Sequence, residues 1–187
     1  LLPALLLGLV SSVGAEETLR VGARMAPLTV ADQHDEDVRI DASTRLVLFA
    51  RDMDAGDVVE AALAEDGASK LDRAGAVFLS DISGMPGIIT RMFALPAMRR
   101  RGYRMALDRS GEATAAFPAR DGSVTVVRLD DLTVRSISHA GSAAEVEAAL
   151  RSAAEPPTAE PPTAEPPAAE PPAAALPSAE PPAAVAE

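Results

Sequence analysis

From Glu155 to Glu187 the chain repeats Glu-Pro-Pro-Thr-Ala with drift, and this stretch decides how much of the sequence is left to fold. Eleven of the 16 prolines lie in it, with glutamates at 155, 160, 165, 170, 180 and 187 and no Lys or Arg. Proline has no amide hydrogen to donate and restricts both its own backbone and that of the residue before it, so neither helix nor sheet propagates through recurring Pro-Pro pairs. The composition predicts a disordered, extended, polyproline-like arm over 152–187, kept open by like charges. Its short period is not a solenoid repeat, because each unit offers almost nothing apolar to bury.

The other end is also set apart. Leu1 to Val10 is apolar throughout, broken only by Pro3 and Gly8, and small residues then lead to Val13-Gly14-Ala15 and the acidic pair Glu16-Glu17. A short apolar run closing on a small-x-small triplet is the pattern of a secretory signal peptide. Crossing a hydrocarbon core takes about 20 helical residues, so the run is too short for a span. We therefore expect residues 1–15 to be part of a signal peptide, the sequence beginning inside it. The mature chain, starting near Glu16, is then expected to be periplasmic or secreted, with no membrane span.

Between these ends, residues 16–151 have the size of one domain. The chain carries a formal charge of −11, of which the six tail glutamates supply more than half. Such a balance argues against nucleic-acid binding, which needs a basic footprint. There is no cysteine, hence no disulfide, no thiol nucleophile and no zinc-thiolate site.

Arg45 to Ala50 and Ala76 to Leu79 are continuous apolar runs of the kind buried on both faces of a sheet. A helix is expected to open at Gly56-Asp57, with Val58, Val59, Ala62 and Leu63 on one face. Another is expected to start at Pro86, with Ile88, Ile89, Met92 and Phe93 as its apolar face. Tyr103, Met105 and Leu107 alternate with polar or small residues as a third strand. Val124–Leu129 and Leu132–Ile137 predict a hairpin turning at Asp130-Asp131. Ser142 and Glu145 predict a capping box before a last helix with Val146, Ala149 and Leu150 inward. Strand, helix, strand, helix, strand, hairpin, helix implies an α/β sandwich of three layers: a mixed central sheet covered by helices on both faces.

Several of these segments resemble thioredoxin-like proteins of the peroxiredoxin and thiol-reductase type. The likeness rests on Ala26-Pro27-Leu28-Thr29-Val30-Ala31-Asp32-Gln33, on Arg45 to Ala50 as central strand, on Asp81, and on Leu107-Asp108-Arg109-Ser110-Gly111. More narrowly, Phe49 to Asp54, Ala76 to Pro86 and Phe93 to Arg99 look like a group of small exported bacterial proteins that often carry an automatic FAD/FMN-containing dehydrogenase label. No Gly-x-Gly-x-x-Gly or phosphate-cradling loop supports that label. The resemblance implies a thioredoxin-like fold, yet the turn that should carry the reactive cysteine reads Arg51-Asp52-Met53-Asp54-Ala55-Gly56. Without a thiolate there is no disulfide exchange or thiol peroxidase chemistry. The family's cis-proline is also missing, since Arg101-Gly102 and Gly122-Ser123 precede the two strands it could precede.

The carboxyl edge of an open α/β sheet is where ligands usually bind. This makes Arg51, Asp52, Met53, Asp54, Asp81, Met85 and Pro86 the binding candidates, with no catalytic residue and no organic cofactor expected. Asp52, Asp54 and Asp57 are better explained as compensation of a helix start than as metal ligands. His34 and His139 are too few and too far apart in sequence for a three-histidine zinc site. Arg91, Arg99, Arg100, Arg101 and Arg104 form the dense basic cluster, either an anion or partner patch or a solvated helix end. Met85, Met92, Met98 and Met105 are expected to fill core gaps. Three readings follow: a non-redox binding or accessory module for an unknown protein or small ligand; a flavin- or nicotinamide-dependent oxidoreductase; or a domain that anchors the Pro-rich arm as the partner-binding part.

Overall fold

A computed structural model describes residues 18–155; the signal segment expected at 1–15 and the Pro-rich repeat from 156 onward lie outside the described residues. In chain order the elements are β1 (Leu28–Ala31), β2 (Asp37–Ile40), β3 (Leu46–Ala50), α1 (Met53–Ala62), α2 (Gly67–Ala74), β4 (Ala76–Asp81), α3 (Gly87–Ile89), a π-helical turn (Thr90–Ala94), α4 (Leu95–Met98), β5 (Ala106–Asp108), β6 (Val124–Asp130), β7 (Thr133–Ala140) and α5 (Ala143–Ala154). Five strands form one mixed sheet in the order β5-β4-β3-β6-β7, and β1-β2 form a separate hairpin. β3 pairs in parallel with β4 (Leu46 opposite Ala76, Ala50 opposite Ser80) and antiparallel with β6 (Phe49 opposite Thr125).

Every residue of β3 is buried, which is why the segment is apolar without alternation. Leu46, Leu48 and Ala50 face one layer, where α1, α2 and α5 contribute Val59, Leu71, Val146 and Leu150. Val47 and Phe49 face the other, with Val30, Ile40, Phe117, Leu129 and Val134. Both covering layers are thus present, but the second is made by the β1-β2 hairpin and the segment around Phe117 instead of by helices. Phe49 and Phe117 stack there with centroids 5.3 Å apart and planes tilted by 50°. Gly67 opens α2 because Tyr103 lies against it: a Cβ would sit 2.7 Å from the Tyr103 ring.

Four boundaries differ from the sequence-based expectation. α1 starts at Met53, not at Gly56, because the Asp52 carboxylate accepts from the Ala55 amide 2.8 Å away and caps the helix earlier. The hairpin turns at Asp131-Leu132, both with positive φ (46° and 61°), one residue later than expected. Ser142 is the N-cap of α5 without a side-chain bond, and Glu145 accepts from the Gly141 amide at 2.7 Å, so the expected capping box does not form. β5 is confined to Ala106–Asp108 because the Gln33 side chain takes the place of a neighbouring strand over Tyr103–Met105. Gln33 Nε2 donates to the Tyr103 carbonyl at 2.7 Å and its Oε1 accepts from the Met105 amide at 3.0 Å.

Two buried carboxylates hold the turns on this side of the molecule. Burial pushes the Asp32 carboxyl up, but the Glu36 and His34 amides and Arg104 together hold it below the usual carboxylate range. Burial likewise opposes Asp108, and bonds from the Ser110 amide, both Thr114 groups and the Gly111 amide hold it low as well. A carboxyl whose folded pKa is depressed adds stability above its unfolded pKa of about 3.9, and that stability is lost as pH falls through the folded value. We expect Asp108→Asn, which puts an amide donor among these donors, to cost about 1–3 kcal/mol at neutral pH. It should also flatten the acid limb, so urea midpoints of variant and wild type should converge as the pH is lowered below that of unfolded aspartate. Phe49→Ala should cost about 3–5 kcal/mol by the same urea titration.

Candidate functional site

β3 and β4 run in parallel and end side by side at Ala50 and Asp81. Beyond β3 the chain turns through Arg51 into α1; beyond β4 it turns through Ser83, whose amide donates to Asp81 Oδ1 at 2.9 Å. Between these two turns and the helical segment 87–98 opens a cleft of about 880 Å³. Its wall is apolar, made by Phe78, Met98, Tyr103 and Met105 below and by Met85, Ile89 and Phe93 nearer the mouth. Burial pushes the Tyr103 hydroxyl up, against the charge and hydrogen bond of Arg101.

Of the seven binding candidates, Arg51, Asp52, Met53, Asp81, Met85 and Pro86 line this cleft and Asp54 does not. Asp52 is already engaged: besides capping α1, it accepts from the Gly122 amide at 2.9 Å through Oδ2. That bond places the loop before β6, not Arg101-Gly102, against the turn where the thioredoxin-like resemblance puts the cysteine. Asp57 lines the cleft, but no three His, Asp or Glu side chains gather to hold a metal among the described residues. His139 Nδ1 lies 3.2 Å from Thr125 Oγ1, and the His34 amide donates to Asp32.

The arginine cluster splits. Arg99 donates to the Gln33 carbonyl at 2.7 Å and pairs with Asp35; Arg104 pairs with Asp32 and Glu36; Arg101 pairs with Glu60. Arg109, outside the cluster, also pairs with Asp35 at 2.8 Å, and its bond and charge, joined by the charge of Arg99, hold Asp35 below the usual range. The Arg99 and Arg104 pairs fasten the β1-β2 turn to the segment before β5, Arg109 adds a tie from just beyond β5, and Arg101 ties that segment to α1. Arg91 and Arg100 remain exposed, with no ion pair among the described residues. The cluster is therefore ion-paired in three members, Arg99 and Arg104 in a clasp on the β1-β2 turn and Arg101 on α1, and a free cationic surface in two.

The helical segment 87–98 reverses its expected orientation. Thr90 and Leu95 are buried, while Ile88, Ile89, Met92 and Phe93 are 69%, 45%, 62% and 67% exposed. The four apolar side chains share one helical face, and in the fold that face looks outward; the π-turn sets only where Leu95 falls relative to Thr90. Pro96 cannot donate to the carbonyl four residues back, and the Leu95 amide bonds to the Thr90 carbonyl, five residues back. That wider turn brings Thr90 and Leu95 onto one face, and the Thr90 hydroxyl donates to the Pro86 carbonyl at 3.3 Å. Met92 consequently fills no core gap, whereas Met105 does.

No family model and no curated protein matches this chain. Solved structures resemble it in fold. One from Chlorobium tepidum, proposed as the thiol:disulfide interchange protein DsbE, superposes with a TM-score of 0.51 at 12% identity over 74% of this chain and 100% of that one. Peroxidoxin BcpB from Mycobacterium tuberculosis gives a TM-score of 0.47 at 21% identity over 72% of this chain and 97% of that one. The thioredoxin domain of a thiol-disulfide oxidoreductase from Bacteroides vulgatus gives 0.47 at 11% identity, over 74% and 100%. The fold is thioredoxin-like, in a chain that contains no cysteine.

Asp52 is the tie between α1, β3 and the loop before β6. We expect Asp52→Ala to lose about 1–3 kcal/mol, a cap plus one further hydrogen bond. Asp52→Asn, which keeps one acceptor, should recover roughly half in chemical denaturation.

Proposed function

We propose that this chain is an exported, non-redox binding module, periplasmic or secreted, that takes an apolar ligand or partner segment in the cleft at the carboxyl edge of β3 and β4. The observation that carries the proposal is the cleft itself. Its volume of about 880 Å³ falls within the range of about 300–1,000 Å³ found for ligand pockets. It also sits where open α/β sheets bind their ligands. The residues at its mouth cannot perform sulfur chemistry, since Arg, Asp and Met offer no thiolate. What the position retains is shape: an apolar wall with Arg51 and Asp81 at the rim to orient a polar end. Methionine suits such a wall because its unbranched, polarizable side chain adapts to different occupants.

Export is supported by the apolar run Leu1–Val10 and the small-x-small triplet Val13-Gly14-Ala15. Amino-terminal sequencing of the mature protein should begin near Glu16.

The cleft is tested with anilinonaphthalene sulfonate, an apolar dye that fluoresces when removed from water. Wild-type protein should bind it, and Ala97→Trp, which fills the cleft from its wall, should weaken binding at least about tenfold, more than a methylene's worth of apolar contact. Equal binding by the two would sink the reading. So would a stoichiometric flavin released from natively purified protein, which would favour an oxidoreductase instead.

A further inference from the structure

Every large apolar side chain exposed among the described residues, apart from Val21, stands on one edge of the molecule: Met53, Ile88, Ile89, Met92 and Phe93. Four of them belong to the segment 87–98 and project outward, while Thr90 and Leu95 are buried. Scattered exposed apolar residues need no explanation, but a contiguous set on one helical rib marks an interaction surface. Ile88 and Met92 do not line the cleft, so they serve something outside it.

Charge identifies what that is. Between Asp81 and Asp108 the sequence has no acidic residue and five arginines, in a chain whose formal charge is −11. Three of the five are neutralised by acids of the clasp and of α1. Arg91 and Arg100 are not; both are exposed, Arg91 within the segment and Arg100 in the turn just beyond α4. A short convex rib with Ile, Met and Phe outward and guanidinium groups beside them is the pattern of an interfacial helix. Its apolar side chains enter the boundary between headgroups and acyl chains while its cations face anionic headgroups. A concave protein partner would need a matching groove; a bilayer surface needs none.

We propose that the rib 87–98 docks the protein on an anionic lipid bilayer surface. No described helix is long and apolar enough to cross a membrane, so the contact is peripheral. Met53, Ile89 and Phe93 also line the cleft, so the test uses Ile88, Arg91, Met92 and Arg100, which do not.

The chain has no tryptophan, so Met92→Trp places a single reporter on the rib. With the full chain and vesicles of mixed phosphatidylglycerol and phosphatidylcholine, its emission should shift to the blue and be quenched by lipids brominated near the headgroup. Because the reporter is local, attachment through the apolar amino terminus alone would leave it unchanged. In the same background, Ile88→Asp and the double change Arg91→Glu with Arg100→Glu should each weaken the shift about tenfold or more, and salt at roughly 0.5 M should do the same. No shift on anionic vesicles overturns the proposal. A shift of equal strength on pure phosphatidylcholine overturns it too, as does one indifferent to both substitutions. A blue shift that grows with protein concentration and without vesicles would assign the rib to self-association instead.

Discussion

The central strand carries the rest of the molecule because it has no exposed side. Five consecutive residues from Leu46 to Ala50 are covered above, below and on both edges. A backbone buried in this way must spend every amide and carbonyl on neighbouring strands, which commits β4 and β6 to its flanks. Its two faces must then each find an apolar layer. α1, α2 and α5 supply one, and the hairpin β1-β2 with Phe117 supplies the other. The cleft exists because this strand and its parallel neighbour end together while the chain leaves them in different directions.

Charge in this protein works locally. The clasp formed by Asp32, Gln33 and Asp35 with Arg99, Arg104 and Arg109 ties a hairpin to a strand edge by hydrogen bonds to backbone and side chain together. Exposed ion pairs alone would contribute little. The buried members matter more: Asp32 and Gln33 are almost wholly enclosed, and each is satisfied by protein donors or acceptors. Asp52 plays a comparable part on the other side, where its two oxygens serve two different elements.

Much of the fold was legible before any coordinates. The continuous runs at 46–50 and 76–79 were of the kind buried on both faces of a sheet, and the carboxyl ends of those strands drew attention to seven residues, of which the tertiary structure gathers Arg51, Asp52, Met53, Asp81, Met85 and Pro86 in one cleft. Asp54, adjacent in sequence, points elsewhere because a helix rotates successive side chains by about 100°. α2 carried no signal strong enough to announce it, being eight residues of mixed polarity between Asp66 and Gly75. Gln33 enters the sequence reading only as the end of the Ala26–Gln33 resemblance, and nothing local to it could reveal that its amide would stand in for a missing strand.

By itself the sequence determined that this chain offers no thiol for disulfide exchange. It also determined that a mixed sheet lies between apolar layers. These follow from the side chains themselves, wherever they are placed. Only the tertiary structure decided which face of 87–98 points inward. Periodicity groups Ile88, Ile89, Met92 and Phe93 on one face but cannot say which side the core lies on, and in the fold Thr90 and Leu95 are the buried pair. It likewise decided which arginines are free. An ion pair depends on distance across the fold, and the acids that claim Arg99, Arg101 and Arg104 lie about 40 to 70 residues away along the chain, beyond the reach of any local pattern.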